Sequence, residues 1–262
     1  MRRRGPGDGD ARRAPALTAP VLLVPGLGQG AWVWRDVAPL LSPERRVVVY
    51  DNSGTGRLND RPARTSIGAL ADDASAQIDE PADVVGLSMG GYVALTLALA
   101  EPGSVRSLVL AGTGAGGLDR VRRPAHVAAA FTAALRLPYR EFARRTMPYT
   151  FSAGWTEANP ERFEQILAAR LERPSSFATV EAHARACYAF YADGCEVERI
   201  EQPALVLHGS EDLIVPAANG RRLAERLPNA EYVEYQGRGH NLPLEIPETF
   251  AEAVAGFLDR LR

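Results

Sequence analysis

The 262-residue sequence contains no lysine; all 30 of its basic side chains are arginine. That absence excludes a P-loop lysine on a phosphate, a Schiff-base amine and a Ser-Lys dyad. Cysteine is nearly as scarce. Cys187 and Cys195 form no Cys-x-x-Cys pair and cannot frame a disulfide scaffold, so both read as reduced thiols of a cytoplasmic protein. No run approaches 18 consecutive apolar residues, so neither a spanning helix nor a membrane partner is expected. The four histidines form no His-x-His or His-Glu-x-x-His, so no metal is expected. A formal charge of -2 gives nucleic acid no foothold. What remains is 46% hydrophobic and 24% charged residues, the composition of a folded globular chain.

Residues 1–16 carry five Arg and two Asp among Gly and Pro. Arg2, Arg3 and Arg4 are not followed by the apolar stretch that a signal peptide needs, so this segment is expected to be a disordered tail. From residue 20 the chain alternates. Six short runs read as strands: Val21–Val24, Arg46–Tyr50, Ala82–Leu87, Val105–Leu110, Ala204–His208 and Glu231–Tyr235. They are continuous rather than alternating, the mark of strands covered on both faces and hence of a parallel sheet. Helical periodicity separates them at 31–41, 66–80, 90–100, 217–227 and 248–261. This is a doubly wound α/β pattern with a mostly parallel sheet of about six strands.

One stretch breaks the rhythm. From Leu118 to about Asp193 the periodicity is helical throughout, with helices expected at 125–135, 139–147, 161–171 and 179–191. The division that follows is an α/β core at 17–117 and 196–262 with a helical cap at 118–195. Residues 118–193 hold eleven Arg against eight Asp and Glu, so the cap is mildly basic and the core acidic.

Ser88 sits in Gly86-Leu87-Ser88-Met89-Gly90. With 24 Gly in the chain, chance flanks a Ser this way in roughly one chain in ten. The context sharpens the signal, because a strand ends at Leu87 and a helix of small residues begins at Gly90. A turn that tight forces strained dihedrals on the Ser and leaves no room for side chains two before and two after it. It aims the hydroxyl, the Met89 amide and the helix N-terminus at one point, where an oxyanion would form. A serine needs a base. Of the four histidines only His240, in Gly237-Arg238-Gly239-His240-Asn241, lies in a loop after the last strand. The base needs an acid to fix its tautomer. Asp212 leaves the sheet at the same edge, with the spacing Gly209-x-x-Asp212; Glu211 beside it is the competing acid, with a longer side chain.

The order Ser88, Asp212, His240, with the nucleophile elbow and the helical insertion, resembles the α/β-hydrolase superfamily, in particular its capped, esterase-like and lactonase-like branch. The resemblance runs from about Val21 to the C-terminus. It implies a serine hydrolase acting on a small-molecule ester, lactone or thioester, with Leu27 supplying a second oxyanion amide beside Met89. Trp34 and the loop from Asp51 to Gly56 look like structural signatures of that family. Two departures stand out: the usual hairpin before the first strand is missing, and Pro25-Gly26 replaces a common His-Gly. In the cap, Phe131, Tyr149, Phe177 and Phe190 would help to shape the pocket, and Tyr139, Trp155 and Tyr188 are the expected substrate contacts. The same residues could instead serve a lyase that expels a carboxylate or an acyl transferase, while a receptor role would normally go with a lost triad. No cofactor is expected. The glycines of Gly26-Leu27-Gly28-Gln29-Gly30 fall at positions 1, 3 and 5, not at the 1, 3 and 6 of a dinucleotide loop.

Overall fold

Six runs rich in Val, Leu and Ala become the strands of one sheet: β1 (Val21–Val24), β2 (Val47–Val49), β3 (Ala82–Leu87), β4 (Val105–Ala111), β5 (Ala204–Gly209) and β6 (Ala230–Tyr235). The computed structural model describes residues 19–262. The tail expected at 1–16, and any strand preceding Val21, lie outside the described residues. Strand order is β2-β1-β3-β4-β5-β6, and every described pairing is parallel. β1, β3 and β5 are buried along their whole length. Alternate residues feed two cores. Leu22, Val24, Val84, Leu108 and Val206 face one, and Val21, Leu23, Val85, Val109 and Leu205 face the other. Each such side chain contributes about 1.5–3 kcal/mol by leaving water.

The helices are α1 (Ala38–Leu41), α2 (Ile67–Ser75), α3 (Met89–Ala100), α4 (Ala125–Ala134), α5 (Tyr139–Thr146), α6 (Trp155–Ala158), α7 (Pro160–Glu172), α8 (Phe177–Asp193), α9 (Ala217–Arg226), α10 (Leu242–Glu245) and α11 (Pro247–Asp259). α2, α3 and α8 pack into the first core, and α11 with Trp34 into the second. Ser66 starts α2 because its Oγ accepts the Ala69 amide at 3.2 Å. Helices α4 to α8 all lie between β4 and β5, in the stretch where no strand was predicted.

Two predicted helices take a different course, and two short ones, α6 and α10, were not expected. The single helix predicted over 31–41 is a 3₁₀ turn at Ala31–Trp34 followed by the short α1. Pro39 has no N–H, and its ring would crowd the carbonyl four residues back, so the helix can only restart with Pro39 in its first turn. The helix predicted to run to residue 80 stops at Ser75, and Ile78 reaches the core from the turn beyond it.

The chain crosses from β1 to β2 on one side and then to β3 on the other. The carboxyl ends of β1 and β3 therefore flank a switch point, the place where open α/β sheets form a crevice. The loop after β1 carries Leu27, and the turn after β3 carries Ser88.

Candidate active site

Ser88 is the sole described non-glycine residue with positive φ, at φ 56° and ψ −118°. Two bonds hold it there: its amide donates to the Ala111 carbonyl at 2.8 Å, and its carbonyl accepts the Thr113 hydroxyl at 2.9 Å. A Cβ on Gly86 would strike the Gly90 backbone, and one on Gly90 would strike the Val24 carbonyl. The collision expected at those positions is thus with backbone, not with another side chain. The strain is local and is held by β4 and by the close approach of β1. α3 starts at Met89, so the helix N-terminus points its unbonded amides past the Ser88 side chain. The Met89 and Leu27 amides have no hydrogen-bond acceptor among the described residues.

Asp212 follows β5 in a turn closed by its own amide on the Gly209 carbonyl. One carboxylate oxygen accepts the amides of Ile214 and Val215, both at 2.8 Å. The other lies 2.7 Å from His240 Nδ1 and 3.2 Å from His208 Nε2. Burial alone pushes the Asp212 carboxyl up. His240 and His208 more than reverse that effect, and the carboxyl ends well below the usual carboxylate range. An ionised Asp212 keeps the His240 proton on Nδ1 and leaves Nε2 as the free basic nitrogen. Glu211 is turned away, accepting the Ala153 amide at 3.0 Å. His208 was expected only as a strand residue; its Nε2 also lies 2.8 Å from the Val215 carbonyl, so it braces the Asp212 turn.

The loop bearing His240 is clamped from two sides. Glu245 accepts the Gly239 amide at 3.0 Å and the Ser152 hydroxyl at 2.6 Å. Asn241 accepts the Gln29 amide nitrogen at 3.3 Å and donates to Thr150 at 2.8 Å. Gln29 in turn accepts the Gly26 amide at 3.1 Å, so one side chain spans from the Leu27 loop to the His240 loop. Asp51 organises the neighbouring loop, accepting the Ala31 and Arg57 amides at 2.7 and 3.0 Å.

Ser88, His240 and Leu27 line one cavity of about 250 Å³ between the sheet edge and the cap. Asp212 lies behind His240, and Met89 is buried at the start of α3. No hydrogen bond joins the Ser88 and His240 side chains. Of the expected substrate contacts, Tyr188 is on the cavity wall and Tyr139 and Trp155 are not. Trp155 stacks on Phe151 at 4.3 Å inside the second core. Tyr139 packs on Phe142 and Phe177, with its hydroxyl accepting Arg170 Nε at 3.3 Å. Trp155 is buried by that stacking, while Tyr139 is half-buried and held by its ring neighbours and Arg170.

His183 was predicted only as a cap residue. It is fully buried in α8, and its Nδ1 accepts the Gly28 amide at 3.2 Å, next to Leu27. Ser175 donates to the Gly28 carbonyl at 3.1 Å. Both polar groups of Gly28 are thus held by the cap. Burial pushes the His183 imidazole down to about 4, so it stays neutral and able to accept.

Comparison with known proteins agrees on the family. A family model described as the alpha/beta hydrolase fold matches residues 19–247. A protein named "Putative carbamate hydrolase RutD" from Caulobacter vibrioides is 31% identical over 252 residues, spanning 91% of this chain and 90% of its own. The crystal structure of a hydrolase from Pseudomonas aeruginosa PA01 superposes with a TM-score of 0.78 at 26% identity, over 96% of this chain and 92% of that one. The enol-lactonase from Burkholderia xenovorans LB400 gives 0.77 at 26% identity, over 96% and 94%. Among the described residues no helix is long and apolar enough to cross a membrane.

Proposed function

This chain belongs to the alpha/beta hydrolase fold family, and from that premise we propose that it is a serine hydrolase that cleaves an ester, lactone or thioester of a small molecule through an acyl-enzyme. The observation that carries this reading is the buried Asp212–His240 contact of 2.7 Å beside a strained Ser88 in one cavity. Ser88 Oγ attacks the acyl carbon. His240 Nε2 takes the hydroxyl proton and returns it to the leaving group, while Asp212 holds the imidazole and faces its developing charge. The oxyanion is received by the Leu27 and Met89 amides. Water, deprotonated by the same His240, then releases the acid. Resting sites often hold nucleophile and base beyond hydrogen-bond reach and tighten around substrate. The relatives named above as a carbamate hydrolase and an enol-lactonase support attack on an acyl carbon.

A fluorophosphonate tests the reading directly: the folded protein takes up one label, on Ser88, and Ser88→Ala takes up none. Hydrolysis in oxygen-18 water places the isotope in the released acid. A folded protein that resists the label, or a product without the isotope, overturns the proposal.

A further inference from the structure

A second cavity, of about 300 Å³, adjoins the one that holds Ser88. The two share Tyr92, Arg123, Ala128, Tyr188, Tyr191 and Ile214, so they lie side by side against the same wall. Arg123 lines both, Arg170 lines the Ser88 side, and Arg120 and Arg122 line the other. No Asp or Glu is in either wall among the described residues.

These arginines are held without being neutralised. Arg170 donates to the Tyr139 hydroxyl and stands 5.6 Å from that ring and 5.9 Å from Phe142. Arg123 stands 5.6 Å over Phe131, and Arg120 4.9 Å over Tyr191. Ring faces orient a guanidinium and leave its N–H fork free. Arg120, Arg123 and Arg170 are all half-buried. A partly desolvated cation in a cleft with apolar walls focuses a positive potential, which charged walls of the opposite sign would cancel. Buried hydroxyls complete the lining: the Tyr92 and Tyr191 oxygens lie 3.1 Å apart, and burial keeps both phenols protonated, Tyr191 pushed up to about 12.

We infer that the substrate carries a carboxylate remote from the scissile acyl group, and that Arg123, with Arg170, binds it. The inference rests on the hydrolase reading for what happens at Ser88, but the anion site stands on its own geometry. A guanidinium pairs a planar carboxylate through two N–H donors, which a lysine could not match.

Two matched pairs of esters test it. The mono-4-nitrophenyl ester of adipic acid is set against 4-nitrophenyl hexanoate, with the acid on the acyl side. 4-Carboxyphenyl acetate is set against phenyl acetate, with the acid on the leaving-group side. In one pair the anionic member has the higher kcat/KM, by about tenfold to a hundredfold, the worth of one charged hydrogen-bonded contact. That ratio collapses in Arg123→Gln and in the Arg123→Gln, Arg170→Gln double variant, through KM. It is partly kept in Arg123→Lys, and it shrinks as salt is raised. No preference in either pair, or an equal loss on both members of a pair in the variants, overturns the inference. If the wild type cleaves no member of either pair, the hydrolase reading is decided separately by the fluorophosphonate label on Ser88. The anion site is then judged by melting temperature: adipate raises that of the wild type but not of the double variant, and an unmoved wild type overturns the site.

Discussion

The sheet and the cap use the same cation in opposite ways. Outside residues 118–193, twelve of the fourteen described arginines lie within 4.0 Å of a carboxylate. Inside that stretch only three of eleven do, Arg144, Arg162 and Arg185. A composition without lysine therefore does not make every arginine a surface ornament. In the acidic sheet region most guanidinium groups are cancelled in ion pairs, and the exposed ones each contribute about 1 kcal/mol or less. In the cap most are left uncancelled, and those on the cavity wall can act on a ligand. The proposed reading places the chemistry on the sheet edge and the selection among substrates on the cap.

That division can be broken most sharply at the sheet edge. Ser88→Ala is expected to lower kcat by about 10⁴-fold or more while leaving the melting temperature near that of the wild type. Substantial residual turnover would move the chemistry elsewhere. Asp212→Asn comes next, with a loss of about 10³- to 10⁴-fold, because the amide oxygen stays on the Ile214 and Val215 N–H groups and the NH2 then faces His240 Nδ1 as a donor, which favours the wrong tautomer. Its pH profile should flatten as well as fall, a readout that simple unfolding would not give.

The third prediction tests where cap and sheet meet. The folded pKa of His183, about 4, lies below the unfolded value of about 6.5. The unfolded chain therefore binds the proton first. Stability is full above pH 6.5 and is lost as pH falls towards 4, by up to about 3 kcal/mol from this one group. Urea midpoints at pH 7 and pH 4.5 measure the loss. His183→Gln, whose amide oxygen can still accept the Gly28 N–H, should remove much of it; an unchanged pH slope would refute the assignment. Smallest is Ser88→Gly, which relieves the positive φ and should raise stability by about 1 kcal/mol in the same urea titration, with no activity left.

Legibility divides along the same line. β1, β3, β4 and β5 were readable because β-branched and Leu runs buried on both faces need no partner to be recognised, and β1 and β3 match to the residue; the edge strands β2 and β6 are only half covered, and β6 alternates where continuous burial was expected. The Gly-flanked Ser88 was readable because the clash that selects glycine is within a few residues of chain and sheet. Asp212 and His240 were readable as loop residues at one sheet edge, and their 2.7 Å contact follows from strand order. The cap resisted. Trp155 and Tyr139 carry the residue types of a pocket wall, yet each has an aromatic neighbour that buries it better. The free state of Arg123 is a statement about carboxylates that are not nearby, which no local pattern encodes. His183 meets Gly28 across 155 residues of sequence, and nothing around either position announces the other.

That last contact has a mechanical consequence. The Gly28 peptide groups are tethered through N–H and C=O to His183 and Ser175, and each tether is worth about 1 kcal/mol. Lifting α8 and the Ser175 segment that leads into it away from the sheet would snap both tethers and slacken the loop that carries the Leu27 amide. Under the proposed mechanism, an opening at α8 that admitted substrate would loosen the very loop meant to receive its oxyanion.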